Sequence, residues 1–193
     1  MDSTLDPLYP FVYKGILTEE SLDKAGRLTK QTLSSEETST IIGKLSYELL
    51  DDLALEEAKR MSLIYTAIHA FENMVREYVK STLIEAHKED WWDKVPSKIQ
   101  KKVSTRMDED AKFRWHGTRG GSEMEYCDFG DLSSIIVVNR GDFEITLSDI
   151  EWAKSVLSVL ERSRNIVMHG GVLAIQDIER IGGNIRDWIR QVG

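Results

Sequence analysis

Apolar residues recur along the chain three and four positions apart, and no stretch alternates apolar and polar residues as a half-buried strand does. The longest such run spans about Leu55 to Ala86, where Met61, Ile64, Ile68, Phe71, Val75 and Tyr78 make one stripe. A stripe of this kind predicts a helix that buries one face. Upstream, Ser34-Ser35-Glu36-Glu37 supplies a capping hydroxyl followed by acids and opens a helix carrying Ile41, Leu45 and Leu49. Pro96-Ser97 opens another, with Ile99, Val103 and Met107 four apart. Ile135-Ile136-Val137-Val138 is β-branched, but it is short and follows Asp131-Leu132-Ser133-Ser134, so it reads as a buried helix over Asp128 to Asn139. Ser148, with Asp149 and Glu151 behind it, starts a helix that holds Ala153, Val156, Leu157, Leu160 and Val167 and stops at Gly170-Gly171. The last helix aligns Ile178, Ile181, Ile185, Trp188 and Val192, and Gly182-Gly183 within it predicts a neighbouring helix at close range.

The connections are read from what breaks this period. Leu8, Tyr9, Phe11 and Tyr13, with Pro7 and Pro10 between them, suggest an extended aromatic arm, and Thr18-Glu19-Glu20 a first helix start. Trp91-Trp92 lies in a turn ending at Pro96. Residues 113–127, with Gly117, Gly120 and Gly121, read as a loop, and Arg140-Gly141-Asp142 as a turn. The expected fold class is all-α.

Composition narrows the function classes. Cys127 is the only cysteine, so neither an intrachain disulfide nor a cysteine zinc site is available. No apolar run is long enough to span a bilayer, and the acidic start Met1-Asp2-Ser3-Thr4-Leu5-Asp6 is no signal peptide. A cytoplasmic protein without membrane association is expected. The net charge is −8, and residues 1–58 hold five Lys/Arg against twelve Asp/Glu. That balance argues against a non-specific nucleic-acid binder, which needs a basic stripe. It leaves room for a local basic site in residues 59–193, where charge is near balance. The division expected is an acidic N-terminal arm and helical extension over 1–58, then a helical domain over 59–193.

The chemistry concentrates at Arg164-Asn165-Ile166-Val167-Met168-His169. One step beyond Leu160 the apolar stripe lands on Arg164. An arginine there is costly to bury unless it is paired or meets a wet interface. A packing pair with a carboxylate is the plain alternative. His169 ends its helix, where the dipole favours a cation, and a solvated cap is its plain alternative. Five residues on an ideal helix turn about 140°, so Arg164 and His169 do not share a face of one subunit. Asn165, four before His169, does share the His169 face. Glu72 flanks the long stripe one turn from Arg76, and their plain reading is a surface ion pair. Arg114, His116 and Arg119 surround Trp115 in the glycine-containing loop. They could clamp single-stranded RNA or form a mobile surface loop. His69 and His87 stand too far apart on one helix for a joint metal site.

An arginine, a polar residue, three others and a histidine at the end of a long amphipathic helix resembles the Arg-x4–6-His motif of the HEPN superfamily. Phe71-Glu72-Asn73-Met74-Val75-Arg76, Trp91-Trp92, Tyr126-Cys127-Asp128-Phe129-Gly130-Asp131-Leu132 and Phe143 extend the similarity to the Swt-like HEPN branch over roughly residues 59–193. That branch includes domains of transcript-surveillance endoribonucleases and bacterial defence proteins. The resemblance implies an antiparallel helical bundle and metal-independent RNA cleavage, with no cofactor. In that scheme the RNA 2′-hydroxyl attacks the adjacent phosphate. It gives His169 the proton transfer, Arg164 the phosphate charge, and Asn165 the orientation of His169 or a phosphate contact. Glu72 would hold Arg164. Arg76, Arg114, His116 and Arg119 would contact RNA.

It also implies a homodimer whose site is completed across the two-fold interface, which would bring the divergent Arg164 and His169 together. HEPN toxins controlled by adenylylation carry a tyrosine two residues after the motif histidine. Gly171 stands there instead, so control by a nucleotidyltransferase partner is not expected. Two functions follow: an endoribonuclease in a defence or toxin role, with any antitoxin or regulator unidentified, or a non-catalytic HEPN dimerisation, partner-binding or RNA-binding module. The acidic N-terminal part, which repels RNA, favours the second.

Overall fold

A computed structural model describes residues 34–192, together with Lys14, Thr18, Ser21 and Leu22. The aromatic arm lies outside the described residues, as do Glu19 and Glu20 of the first expected helix. The described residues contain helices and no strand. They are α1 (Ser35–Lys44), α2 (Asp52–His87), α3 (Ser97–Lys112), α4 (Phe129–Val138), the single-turn α5 (Arg140–Phe143), α6 (Ile150–Met168) and α7 (Ile175–Val192). Tighter 3-10 turns cover Tyr47–Leu49, Lys88–Lys94 and Glu123–Tyr126.

The chain divides into two compact units, residues 1–51 and 52–193. In the first, Ser34 caps α1 by accepting from Glu37 N–H, and the Glu37 carboxylate accepts from Ser34 N–H. This is the capping box that the sequence pattern predicts. The helix buries no residue, and it ends at Lys44, so Leu45 and Leu49 lie beyond it.

In the second unit α2 is the spine. It buries Met61, Ile64, Ile68, Phe71, Val75, Val79 and Leu83, and among them Glu72. Helices α4, α5, α6 and α7 all pack against it. Trp188 of α7 joins the aromatic core, edge-on to Phe71 at 5.7 Å and to Tyr78 at 6.0 Å and stacked on Trp152 at 6.0 Å. Such ring pairs add stability beyond area burial, typically about 0.5–1.5 kcal/mol each. Ile135 and Ile136 are buried in α4, as a helix. Trp91 and Trp92 sit edge to face at 5.3 Å and pack against the core, which makes them anchors of the turn after α2.

The structure departs from the sequence expectations in four further places. Residues 140–143 form a helical turn rather than an open one, because Glu144 N–H closes on the Arg140 carbonyl. Asp149, not Ser148, caps α6, accepting from Trp152 N–H at 3.0 Å. The loop over 113–127 contains the 3-10 turn at Glu123–Tyr126, set by a capping box between Ser122 and Glu125. Among the described residues no helix crowds Gly182-Gly183: a Cβ at Gly182 would meet only the tip of Arg186 at 3.2 Å, and one at Gly183 would meet nothing within 4 Å.

The end of α6 matters most for function. Gly170 takes φ +75°. Gly171 N–H bonds to the Ile166 carbonyl at 2.8 Å and Gly170 N–H to the Val167 carbonyl at 3.1 Å. This is a Schellman stop, which needs a residue without a Cβ in the left-handed region. It ends the helix at His169.

Leu157 is fully buried on α6, the helix that packs against α2, α4 and α7. Leu157→Ala is expected to lower unfolding free energy by about 2–5 kcal/mol, as a shift of the urea midpoint at unchanged slope. A loss below about 1 kcal/mol would contradict the packing described.

Candidate active site

Arg164 leaves the buried stripe of α6 at its rim. Ala153, Val156, Leu157, Leu160 and then Ser163 are buried, and Ser163 Oγ–H donates to the Val159 carbonyl at 2.9 Å. The arginine side chain keeps 36% of its surface exposed. It lines a cleft of about 600 Å³ with Tyr65, His69, Glu72, Arg76 and Arg119. Its Nε stands 3.9 Å from Glu72 Oε2, and its Nη1 donates to Asn165 Oδ1 at 3.3 Å.

Glu72 is a buried carboxylate with two arginines near it. The closer partner is Arg76, whose Nη2 donates to Oε1 at 3.0 Å. The same nitrogen donates to the Cys127 carbonyl at 3.1 Å, and Arg76 Nη1 donates to Asn73 Oδ1. Glu72–Arg76 is therefore a part-buried junction between α2 and the segment before α4, not the surface i,i+4 pair considered from spacing. Removing one partner of such a pair costs far more than an exposed pair is worth, because a charge is left buried alone. Arg76 lines the cleft with a guanidinium already engaged on the protein side.

His169 opens elsewhere. It is exposed at the C-cap of α6 and lines a second cleft, of about 590 Å³, with Ser158, Glu161, Arg162, Asn165 and Ile166. Helix geometry thus separates the motif as its spacing requires: Arg164 faces one cleft, and Asn165 and His169 the other. Burial, then the nearby Asp128 charge, pushes the Glu161 carboxyl above its ordinary range. Glu161 was not singled out from sequence, although Glu161, Asn165 and His169 recur at four-residue intervals.

The loop residues divide too. Arg119 lines the Arg164 cleft, lies 5.9 Å over the Tyr126 ring, and its N–H bonds to Asp110 Oδ2 at 3.0 Å. Arg114 and His116 are exposed. Trp115, 81% exposed, stands edge-on to Phe113 and His116 around a separate small pocket. His87 bonds to Asp142 Oδ2 at 2.8 Å and ties α2 to α5. Among the described residues no cluster of His, Cys, Asp or Glu could hold a metal ion, and no helix is long and apolar enough to cross a membrane.

A second ionic junction escaped the sequence reading. Arg106 Nη2 donates to Asp128 at 2.8 Å and its Nη1 to Asp131 at 3.1 Å and to the Tyr126 carbonyl. Lys102 Nζ donates to both aspartates, at 2.9 Å and 2.8 Å. Asp128 and Asp131 form the capping box of α4, so the clamp bolts α3 to the start of α4. Burial works against the Asp128 charge, but hydrogen bonds from Arg106 and Lys102 outweigh it and hold its carboxyl well below the usual range. Beside the clamp, burial pushes the Cys127 thiol up to about 12, so it stays protonated and unreactive at neutral pH.

The fold and site together define an all-helical module with a helix-end arginine and histidine and a buried carboxylate under the arginine. Residues 66–193 match the Swt1-like HEPN family, and the chain belongs to that family. No curated protein and no solved structure matches the chain.

A carboxylate held below its ordinary value stabilises the fold above the unfolded-chain value, and that contribution is lost as pH falls through the folded value. The urea midpoint should therefore fall as pH drops below about 4, and Asp128→Asn should flatten this acid limb. An acid limb of unchanged slope in Asp128→Asn would show that the clamp does not set it.

Proposed function

We propose that the chain is a metal-independent HEPN endoribonuclease acting as a homodimer, in a defence or toxin role. Residues 59–193 carry the activity, and 1–58 are an acidic extension. The observation that carries this reading is the division of the motif at the end of α6. Arg164 rests against buried Glu72 at the rim of one cleft, while His169 lies exposed on another. A two-fold pairing across this helix end sets the Arg164 of each copy beside the His169 of the other. There the RNA 2′-oxygen attacks phosphorus, the bond to the 5′-oxygen breaks, and a 2′,3′-cyclic phosphate and a 5′-hydroxyl result. His169 takes or returns the proton, Arg164 stabilises the charge on the phosphate oxygens, and Asn165 orients His169. Glu72 keeps Arg164 in place. No step calls on a metal or cofactor.

The second reading, a non-catalytic HEPN module, is favoured by the exposure of His169 at the C-cap of α6.

The homodimer should cleave single-stranded RNA in EDTA and leave cyclic phosphate ends. Arg164→Ala and His169→Ala should each lower the rate by about 10²–10⁴-fold. Mixing the two inactive variants should restore part of the activity, because a heterodimer holds one intact Arg164 and one intact His169. A dimer that cuts no RNA, or cuts it equally well in both variants, is the outcome of the non-catalytic reading.

A further inference from the structure

The Arg164 cleft holds groups that the cleavage scheme does not use. Tyr65 and His69, one turn apart on α2, stack at 5.6 Å with planes 19° apart at the cleft wall. Tyr65 is half-buried and His69 exposed, so the pair is a ring surface anchored on one side and open on the other. Lys80, Arg119 and Arg164 supply cations around the same cleft, Glu77 and Glu125 also line it, and Arg76 lies below with its charge met by Glu72.

The imidazole is set by a chain of hydrogen bonds. Arg76 only donates, so the Asn73 atom facing it is the oxygen. Asn73 Nδ2 then faces His69 Nε2, at 3.2 Å, and donates to it. Nε2 is thereby the acceptor, and the ring proton sits on Nδ1. This tautomer leaves the ring face to stack and Nδ1–H to donate a hydrogen bond. Rings beside side-chain cations are what a single-stranded nucleotide needs: every base has a face to stack, and every phosphate a charge to meet.

We propose that this cleft is a nucleotide subsite for single-stranded RNA, with Tyr65 and His69 as the platform for one base and Lys80, Arg119 and Arg164 on the adjoining phosphates. It rests on the ribonuclease reading in sharing Arg164 with that site, but it makes a separate claim about binding. The base contact is sequence-tolerant, because stacking reads no base edge.

The test uses the full chain with His169→Ala, which stops cleavage and leaves Tyr65, His69, Lys80, Arg119 and Arg164 in place. Its probe is a fluorescein-labelled single-stranded RNA of about ten nucleotides, followed by anisotropy. Tyr65→Ala and His69→Ala are each expected to weaken binding by about ten- to a hundred-fold, and Tyr65→Phe, which keeps the ring, to recover the affinity. A matching abasic strand should bind weakly to the parent and lose nothing further in Tyr65→Ala. In the cleaving protein, Tyr65→Ala should raise KM with kcat nearly unchanged. Equal affinity for parent and Tyr65→Ala, or equal binding of normal and abasic strands, would overturn the subsite. Tyr65-dependent binding by a protein that never cleaves RNA would leave the subsite standing and remove the ribonuclease reading. Cleavage with KM unmoved in Tyr65→Ala would do the reverse.

Discussion

A carboxylate buried on the central helix has to be answered by charge, and the arrangement around Glu72 follows from that requirement. Several kcal/mol of desolvation attend each buried ion, so an isolated carboxylate at this position would not be tolerated. Arg76, one turn along α2, meets it at 3.0 Å. The guanidinium then has donors left over: two go to the Cys127 carbonyl and to Asn73, while the buried Nε meets no acceptor among the described residues. One residue earlier, the Tyr126 carbonyl accepts from Arg106 of α3. Two consecutive carbonyls of the segment before α4 are thus held by arginines from two different helices. Asp128, next in the chain, caps α4 and closes the clamp on Lys102 and Arg106. Glu72 is therefore where one line of charge begins that runs through α2, the 126–128 segment and α3.

The same carboxylate turns its other oxygen toward Arg164 at 3.9 Å, which is steering rather than a tight bond. Arg164 keeps part of its surface in water and, beyond its bond to Asn165, has guanidinium donors for a further partner. The contrast with Arg76 is instructive. Two arginines face one carboxylate, and the nearer is engaged on the protein side while the farther is left open at the cleft rim. A site that must bind phosphate needs a cation whose donors are not already spoken for, and Arg164 fits that need better than Arg76.

Much of this was legible in the sequence. The stripe on α2, the capping box at Ser34, the buried helix at Ile135-Ile136 and the stop at Gly170-Gly171 all follow from local rules of period and capping. So does the divergence of Arg164 and His169, since five helical residues cannot end on the face where they began. The exact cap of α6 and the turn at Arg140 were less legible, because Ser148 and Asp149 are both good caps and short polar turns and single helical turns share a composition. Gly182-Gly183 misled because a glycine pair marks possible close approach without naming a neighbour.

What the sequence determined by itself was the class of fold, the place of each long helix and the order of Arg164, Asn165 and His169 at a helix end, since these depend on the order of residues along single helices. What only tertiary structure decided was which charges meet. Lys102 and Arg106 join Asp128 and Asp131 across more than twenty positions, and Arg76 reaches the Cys127 carbonyl across 51. Nothing in the spacing of such residues singles out those partners. Ion pairing between helices is set by where packed surfaces bring side chains together, and the hydrophobic pattern fixes which face is buried without saying which polar groups will border it.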